Sequence, residues 1–421
     1  MLVASAVAGQ ILAYMLTILL ARKLTVEDFE AYVVAAAAFV MLATFAPRGA
    51  EKHLLLRLPA MIDRGEFEEG RRLLGFGVRR TVTTAIAAAT IVGGATMLLR
   101  DPEDETRAAI IVSCLSLPAG ALVHLGVEAL TASGRPLKAL LLFRMLVPSI
   151  ALMIVLCLLW QGTPVRGAAA VGAWGVAWLV ALLFFVAEMH RAGLSPIVRA
   201  GRGDDLRIWK AEARPFFVYR VSLALLAQAG IVALDLLNVA PAAVGAYAAA
   251  MGTVSIAAVL ATSTNRAYSR ELALLLDRRD FTAMLALRRA RLRWVAPSIL
   301  LFLAAAIVFP AEILELFRPE FAREGVTALR LLAAATGFMV IFSLAPTYLK
   351  YRGRNRLIYA IVAIAAFMQV TLLVILIPAF GVSGAAGAYA VSMCGMYLAF
   401  AIVGHKEVAR LRGLARSPSL G

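Results

Sequence analysis

Charged residues are scarce in this 421-residue chain. Asp, Glu, Lys and Arg make up 16% of it, and 62% of it is hydrophobic. Soluble domains carry roughly 25% charged residues. A chain with so few charges cannot cover its surface with groups that water solvates. The composition therefore excludes an ordinary soluble enzyme or binding domain and indicates a protein that lipid surrounds.

Cysteine and histidine are also rare. Cys114, Cys157 and Cys394 lie inside apolar runs, and their odd number and their spacing predict neither a disulfide framework nor a metal centre. The four histidines are far apart in the sequence. The sequence has no Walker motif, no HExxH motif and no recognisable nucleophile arrangement. We therefore expect no enzyme activity, no cofactor and no metal.

Apolar runs long enough to cross a bilayer are abundant. A membrane helix needs about 20 predominantly apolar residues, and its backbone must bond within its own segment. Twelve runs qualify, at 2–21, 32–50, 81–99, 108–130, 139–160, 167–188, 215–237, 242–264, 294–316, 326–349, 357–378 and 383–404. The predicted fold class is an all-α integral membrane protein with about twelve transmembrane helices.

The basic residues predict the orientation of these helices. If the first helix starts in the cytoplasm, the inner segments hold 31 of the 42 Lys and Arg residues, whereas the outer segments hold 8. Lys and Arg favour cytoplasmic loops, so both termini are predicted to be cytoplasmic. The formal charge of +16 lies in short segments between apolar runs. This distribution favours the anionic inner leaflet as a partner and disfavours nucleic acid.

The two halves of the chain resemble each other. With an offset of 215, Tyr32 matches Tyr247, Ala31 matches Ala246 and Phe29 matches Val244. Six helices per half would give two lobes related by an axis along the membrane normal, with a cavity between them. The predicted units are an N-terminal lobe at 1–189, a cytoplasmic linker at 190–214, a C-terminal lobe at 215–404 and a basic cytoplasmic tail at 405–421.

Several segments resemble one transporter family. LARKLTVEDFEAYVVAAAAF after the first helix and LDLLNVAPAAVGAYAAA after the seventh, with Asp235, Gly245 and Tyr247, match its pattern. The segments at 309–333 and 377–392 also match in order and spacing. Nearly the whole chain is similar to the Wzx-type polysaccharide transporter branch of the MOP (MATE-like) exporter superfamily. Glu30 departs from the pattern, which usually has glycine there.

This resemblance implies a flippase in the bacterial inner membrane. Such proteins carry an undecaprenyl-pyrophosphate-linked oligosaccharide from the inner to the outer leaflet by alternating access, for O-antigen, exopolysaccharide or other polysaccharide synthesis. The lipid-linked oligosaccharide and membrane lipids would be its partners, together with a glycan polymerase and glycosyltransferases of the same pathway.

Three arginines lie within the apolar runs, near their predicted cytoplasmic ends: Arg48, Arg144 and Arg220. A charge at this depth costs about 2.5–3.5 kcal/mol on insertion scales. One hypothesis is that the three guanidinium groups face the cavity and hold the substrate pyrophosphate. The alternative is that each side chain extends to the inner headgroups.

Other polar residues within the runs are candidates for ion coupling or for a polar cavity. Glu128 and His124, one turn apart, predict either a proton relay or helix–helix bonds. Asp235 is expected near the outer end of its helix, where its carboxylate would reach water. Three deeper amides are expected to form interhelical hydrogen bonds: Gln10, Gln228 and Gln369.

Four alternative functions stay open. A cation-coupled multidrug exporter of the MATE type would share the fold. A peptidoglycan-precursor flippase is disfavoured because that family typically has fourteen helices. A membrane glycan polymerase or glycosyltransferase is disfavoured because no outer loop is long enough to fold as a domain. A scaffold that transports nothing is the fourth.

Overall fold

A computed structural model describes residues 2–196, 203–277, 281–351 and 353–416, and all regular structure in these ranges is helical. The α-helices are α1 (Leu2–Lys23), α2 (Val26–Phe45), α3 (Ala50–Asp63), α4 (Phe67–Leu99), α5 (Glu105–Ala132), α6 (Pro136–Leu141), α7 (Val147–Trp160), α8 (Gly167–Arg191), α9 (Gly203–Leu236), α10 (Pro241–Asp277), α11 (Phe281–Val308), α12 (Pro310–Glu315), α13 (Pro319–Phe342), α14 (Ala345–Tyr351) and α15 (Asn355–Arg416). A π-helical turn, Leu142–Leu146, joins α6 to α7.

Ten helices in the described ranges are long and apolar enough to cross a membrane. The last of these spans, Asn355–Glu407, contains two helices that meet at Gly381, where the backbone has φ 54° and ψ −130°. Ala296–Val308 is a shorter apolar stretch. Dividing the last span at Gly381 and adding this stretch would give the expected number of twelve, which stays a prediction. The chain is a multi-pass helical membrane protein.

The repeat at an offset of 215 also appears in the helix boundaries. Helix α2 begins at Val26 and α10 begins at Pro241. The matched Tyr32 and Tyr247 are both buried. The ring centroid of Phe29 lies 5.4 Å from that of Phe321, so the beginning of α2 touches the second half of the chain. The sequence offset therefore matches the starts of α2 and α10, and the division into two related lobes stays a prediction.

Each half packs mainly on itself. Helix α5 lies against α2, α4 and α8, and α13 lies against α10, α11 and α15. The halves meet where α1 packs on α10 and where α2 packs on α9. Large apolar side chains face outward from the bundle, among them Leu98 at 87% and Trp160 at 88% exposure. These surfaces fit a hydrocarbon environment, because soluble monomers rarely expose large contiguous apolar patches.

At the predicted outer end, arginines join the halves through backbone carbonyls. Arg318, at the start of α13, donates from Nε to the carbonyl of Ala21 at 2.7 Å and from Nη2 to that of Leu24. Arg22 donates in the opposite direction, from Nε to the carbonyl of Leu316 at 2.7 Å. Three hydrogen bonds thus connect the end of α1 to the α12–α13 region.

Several predicted segments have different boundaries in the structure. The second run was predicted at 32–50, whereas α2 ends at Phe45. The segment between the second and third predicted runs, 51–80, was predicted to be cytoplasmic. It contains most of α3 and the first turns of α4. Within the predicted linker, 203–214 belongs to α9, and 197–202 lies outside the described residues. The tail is helical to Arg416, and 417–421 lies outside the described part.

Candidate functional site

The turn between α2 and α3 brings the two halves of the chain together at the predicted cytoplasmic end. Arg48 and Gly49 have φ values of 50° and 83°. A Cβ atom on Gly49 would lie 2.2 Å from the carbonyl oxygen of Ala213 on α9, so only glycine permits this approach. The first turn of α3 therefore lies directly against α9.

Consecutive residues of α3 reach different neighbours. Glu51 is buried at 1% exposure and lies 3.2 Å from Arg220 on α9, measured from Oε1 to Nε. Lys52 donates from Nζ to Oε1 of Glu128 on α5 at 2.5 Å. Successive residues of a helix point in directions about 100° apart, which explains why adjacent side chains contact α9 and α5.

The next turn of α3 also contacts α9. His53 is fully buried, and its Nδ1 lies 3.5 Å from Oε2 of Glu212 without forming a hydrogen bond. Arg57, one turn later, donates to both carboxylate oxygens of Glu212, at 3.2 and 2.5 Å. Glu51 and Arg57 therefore form two ion pairs across the boundary between the halves.

Arg80 on α4 is a site residue that the sequence analysis missed. Its guanidinium group lies over the ring of Phe76 at 5.6 Å. Its Nε and Nη1 atoms are buried and have no hydrogen-bond partner among the described residues. The charges of Arg48 and Glu51 both act on its guanidinium group. Arg80 follows Phe76 by four residues on a helix that buries Leu73 and Gly77. This spacing puts the arginine on the same helix face as Phe76, and it is the sequence signal that could have identified Arg80.

We name Arg48, Glu51, Arg80 and Arg220 the inner charged cluster. It contains three guanidinium groups and one carboxylate, so it has an excess of positive charge. Arg48 is exposed, whereas the side chain of Arg220 is 24% exposed. Guanidinium groups bind phosphate oxygens through paired hydrogen bonds, so the cluster has the chemistry of an anion site. The sequence predicted two of its members.

Arg144 lies in the π-helical turn, beside α1. A Cβ atom on Gly9 would lie 2.0 Å from the carbonyl oxygen of Arg144, so α1 approaches this turn as closely as glycine allows. Arg144 donates from Nη1 to Oε1 of Gln10 at 3.2 Å, and Gln10 donates from Nε2 to Ser255 at 2.8 Å. The interhelical bond predicted for Gln10 is confirmed, and it joins α1 to α10.

His124 packs among aromatic rings, with centroids 5.2 Å from Phe143 and 5.9 Å from Trp178. The positive charges of Arg144 and Arg220 both act on its imidazole ring. The described contacts include no hydrogen bond between His124 and Glu128, since Glu128 pairs with Lys52. The proton relay considered for these two residues therefore has no direct connection in this structure.

The remaining sequence candidates lie away from the cluster. Asp235 was expected to reach water, but it is 9% exposed and pairs with Arg100. It is fifteen residues beyond Arg220 on α9, or about 22 Å along the axis. Gln369 donates from Nε2 to the carbonyl of Leu226 at 3.1 Å, which confirms the predicted interhelical bond. No hydrogen bond from Gln228 occurs among the described contacts.

A cavity lies within the first half of the chain. It is an apolar cavity of 180 Å³ between α2, α5 and α8, lined by Tyr32, Ala36, Phe39, Val40, Ser116, Val171, Trp174 and Trp178. Trp174 donates from Nε1 to the hydroxyl of Tyr32 at 3.1 Å. The rings of Phe39 and Trp178 stack at 5.7 Å. Such a lining suits a flat apolar group.

Burial shifts the pKa of two groups on α3 in opposite directions. It raises the pKa of the Glu51 carboxyl above 4.5, although the positive charge of Arg220 acts to lower it. It lowers the pKa of the His53 imidazole below 6.5, although the negative charge of Glu212 acts to raise it. In both cases burial favours the neutral form of the side chain, because removal from water penalises the charged form.

No protein-family model matches the chain, and no curated protein matches it in sequence. Its fold, however, has solved counterparts. A multidrug resistance MATE family transporter of the MOP superfamily, in an inward-facing conformation, has a TM-score of 0.73 at 13% identity, over 98% of this chain and 95% of that one. An outward-facing structure of a transporter described in the same words has a TM-score of 0.58 at 12% identity, over 98% and 96% of the two chains.

A MOP superfamily transporter from Pyrococcus furiosus is a further counterpart, with a TM-score of 0.67 at 13% identity over 98% of this chain and 94% of that one. It is described as having a binding pocket of reverse polarity that suggests a different function. These similarities show that the chain has the fold of MATE/MOP superfamily transporters. The resemblance to that superfamily is thus confirmed at the level of the fold, and the Wzx-type branch stays a prediction.

Proposed function

We propose that this chain is a membrane transporter for an anionic, lipid-linked substrate, namely an undecaprenyl-pyrophosphate-linked oligosaccharide that it moves from the inner to the outer leaflet. The single observation that carries the proposal is the inner charged cluster. In this cluster Arg80 and Arg220 lie near the buried Glu51 carboxylate and Arg48 lies near Arg80, where α3 packs on α9 of a MOP-type fold, at the end predicted to face the cytoplasm. A pyrophosphate group entering from the inner leaflet would meet this end first.

Two further features support this proposal. Arg144 donates to Gln10, which donates to Ser255 on α10, so a fourth guanidinium group lies where α1 meets the second half of the chain. The halves also touch at the opposite end through Arg318 and through Phe29 with Phe321. Alternating access requires that contacts between the halves break and re-form at the two ends of the bundle in turn. The glycan, and partner enzymes of a polysaccharide pathway, rest on the sequence resemblance alone.

A binding experiment on the purified chain in detergent tests the proposal. Undecaprenyl pyrophosphate should bind, and undecaprenol, which lacks the phosphates, should bind at least tenfold more weakly. Arg220→Ala should reduce pyrophosphate binding about tenfold or more, because a charge-assisted hydrogen bond contributes about 1.5–3 kcal/mol. Arg48→Ala and Arg80→Ala should each weaken it as well.

Arg166→Ala is the matched control, because this arginine lies at the predicted outer end and is 72% exposed. It should leave binding unchanged. Equal affinity for the pyrophosphate and the alcohol would contradict the proposal, and so would a folded Arg220→Ala variant that binds pyrophosphate as tightly as the wild type.

The apolar cavity favours a second candidate function, export of flat organic cations by a MATE-type mechanism. Its aromatic lining from Tyr32, Phe39, Trp174 and Trp178 would attract such a cation through the faces of the rings. Ethidium tests this alternative. Saturable ethidium binding that Trp178→Ala abolishes, together with no binding of undecaprenyl pyrophosphate, would favour the exporter over the flippase.

A further inference from the structure

Glu51 differs from Glu128 and Asp235 in its hydrogen bonding. Glu128 accepts a hydrogen bond from Lys52 at 2.5 Å, and Asp235 accepts one from Arg100. Neither oxygen of Glu51 accepts a hydrogen bond from another described residue, although the side chain is 1% exposed. Arg220 Nε lies 3.2 Å away but is not aligned to donate. Glu51 is therefore a buried carboxylate that a single, imperfect ion pair compensates.

Charged groups face Glu51 from every helix that packs on α3. Helix α4 presents Arg80, and α5 presents Glu128, which is already bonded to Lys52. Helix α9 presents Arg220 near Glu51 and, about two turns earlier, Glu212, which is bonded to Arg57. His53 on the same helix is buried, and Arg48 precedes it in the turn. Arg220 is the positive group with the largest electrostatic effect on Glu51.

Arg220 would therefore be required by two anions. In the proposed function it holds the pyrophosphate of the substrate, and in the structure described here it faces Glu51. If the guanidinium group turned to the pyrophosphate, Glu51 would remain buried next to added negative charge. An isolated buried carboxylate is strongly disfavoured, and burial raises carboxyl pKa values by up to 3–5 units. Taking up a proton removes this penalty.

We propose that Glu51 is an internal counter-ion of Arg220, and that it yields this arginine to the pyrophosphate of the substrate by binding one proton. The inference rests on the proposed function and deepens it, because it links substrate binding to the uptake of a proton and names the residue that binds that proton. In the balanced step, a hydronium ion on the cytoplasmic side loses a proton as its O–H bond breaks, the proton forms an O–H bond on Glu51, and a water molecule is left. The Glu51–Arg220 ion pair is exchanged for an Arg220–phosphate ion pair, and no other bond changes.

Proton uptake during anion binding tests this step. Farnesyl pyrophosphate serves as a soluble probe that carries the same anionic group. It would be titrated calorimetrically into the purified full-length chain near pH 7.5, in two buffers with different ionisation enthalpies. The difference between the observed enthalpies gives the number of protons bound per anion. The wild type should bind about one proton more than Glu51→Gln does, and this comparison cancels any proton exchanged by the probe.

Glu51→Gln should still bind the anion, with equal or higher affinity, because Arg220 no longer has a competing carboxylate. Its affinity should also change less with pH than that of the wild type, which should rise up to tenfold for each unit that the pH falls. Glu128→Gln is the matched control, since it removes a second carboxylate beside α3, one that is paired with Lys52. It should keep the proton uptake of the wild type.

Two results would overturn the inference and leave the proposed function standing. One is anion binding by the wild type with no more proton uptake than in Glu51→Gln. The other is loss of uptake in Glu128→Gln while Glu51→Gln retains it. If none of the three proteins binds the probe, the proposed function fails, and the inference fails with it.

A measurement on the wild type alone covers the case in which Glu51→Gln does not fold. Infrared difference spectra recorded on addition of farnesyl pyrophosphate should show a new carbonyl band of a protonated carboxylic acid. A spectrum without this band, at saturating probe, would overturn the inference.

Discussion

Arg100 and Asp235 form an ion pair between the end of α4 and the end of α9, so one arginine joins the first half of the chain to the second. Arg100 also donates to Asp104 at 2.9 Å. The Asp235 side chain is 6% exposed, whereas that of Arg100 is 21% exposed. The pair lies at the end of the bundle opposite the inner charged cluster, so the halves carry ion pairs at both ends.

Arg100→Gln should lower the free energy of unfolding by about 3 kcal/mol, because it leaves Asp235 as a buried carboxylate without a partner. The double variant Arg100→Gln/Asp235→Asn should recover part of this loss. Thermal unfolding midpoints in detergent measure both effects. Additive losses in the two single variants would show that the pair is not coupled.

Gly9→Ala should destabilise the protein by about 1–3 kcal/mol. Its Cβ atom would lie 2.0 Å from the carbonyl oxygen of Arg144, so α1 must move away from the π-helical turn. The same variant should weaken pyrophosphate binding through Arg144. Gly94→Ala on α4 is the matched control, because no atom lies within 4 Å of the added Cβ. It should stabilise its helix by about 0.5–1 kcal/mol. Equal effects of the two substitutions on the unfolding midpoint would contradict this prediction.

Two amides that form interhelical hydrogen bonds should respond differently to replacement by leucine. Gln369→Leu should change the free energy of unfolding by less than about 1 kcal/mol, since it removes an unpaired oxygen together with a bond to a helix carbonyl. Gln10→Leu should cost more than about 1 kcal/mol, because Arg144 and Ser255 both lose a partner. Denaturation of both variants in the same detergent gives the comparison, and a larger loss for Gln369→Leu would reverse it.

The stability of the protein should depend on pH through Glu51 and His53 with opposite signs. The pKa of Glu51 is raised above 4.5 in the folded state, so its favourable contribution is complete at low pH and is lost as pH rises through the folded pKa. Glu51→Gln should therefore gain stability relative to the wild type as the pH rises above 4.5.

The pKa of His53 is lowered below 6.5, so the unfolded state binds the proton first and the wild type loses stability as pH falls below 6.5. His53→Leu should remove that loss. Unfolding midpoints measured across the pH range check both slopes. If the unfolding midpoint of the wild type changes with pH in the same way as that of Glu51→Gln, the prediction for Glu51 is wrong. If it changes in the same way as that of His53→Leu, the prediction for His53 is wrong.

Labelling of single cysteines tests the predicted orientation. With the three native cysteines replaced by serine, Thr163→Cys should react with a membrane-impermeant maleimide in intact cells. Asp63→Cys should react only after the membrane is permeabilised. Both positions are exposed in the structure, so access to the reagent and not burial would decide the result. The reverse pattern would place both termini outside.

The helical fold was predictable because it follows from composition and length. Apolar runs of about 20 residues must be helical in a bilayer, and the offset of 215 placed the starts of α2 and α10 in register. Helix ends were predicted less well. The third apolar run was predicted to start at residue 81, just after Arg80, whereas α4 starts at Phe67 and continues through Arg80.

The partners of the charged residues were not predictable from one sequence. Glu51 and Arg220 are far apart in the chain, and their contact depends on the left-handed turn at Arg48 and Gly49. Hydropathy patterns carry no information about that turn. Asp235 was placed correctly near a helix end, but its burial depends on Arg100 from another helix. Side-chain pairing across helices is a tertiary property, so candidate residues could be predicted from the sequence but their partners could not.

The contacts that Arg22 and Arg318 make with backbone carbonyls have an evolutionary consequence. A carbonyl oxygen is present at every residue, so Ala21, Leu24 and Leu316 can each mutate without loss of the acceptor. Only the two donors need to persist. A junction of this kind tolerates sequence drift, and proteins that share the arrangement can diverge until their identity is no longer detectable while the halves still dock in the same way.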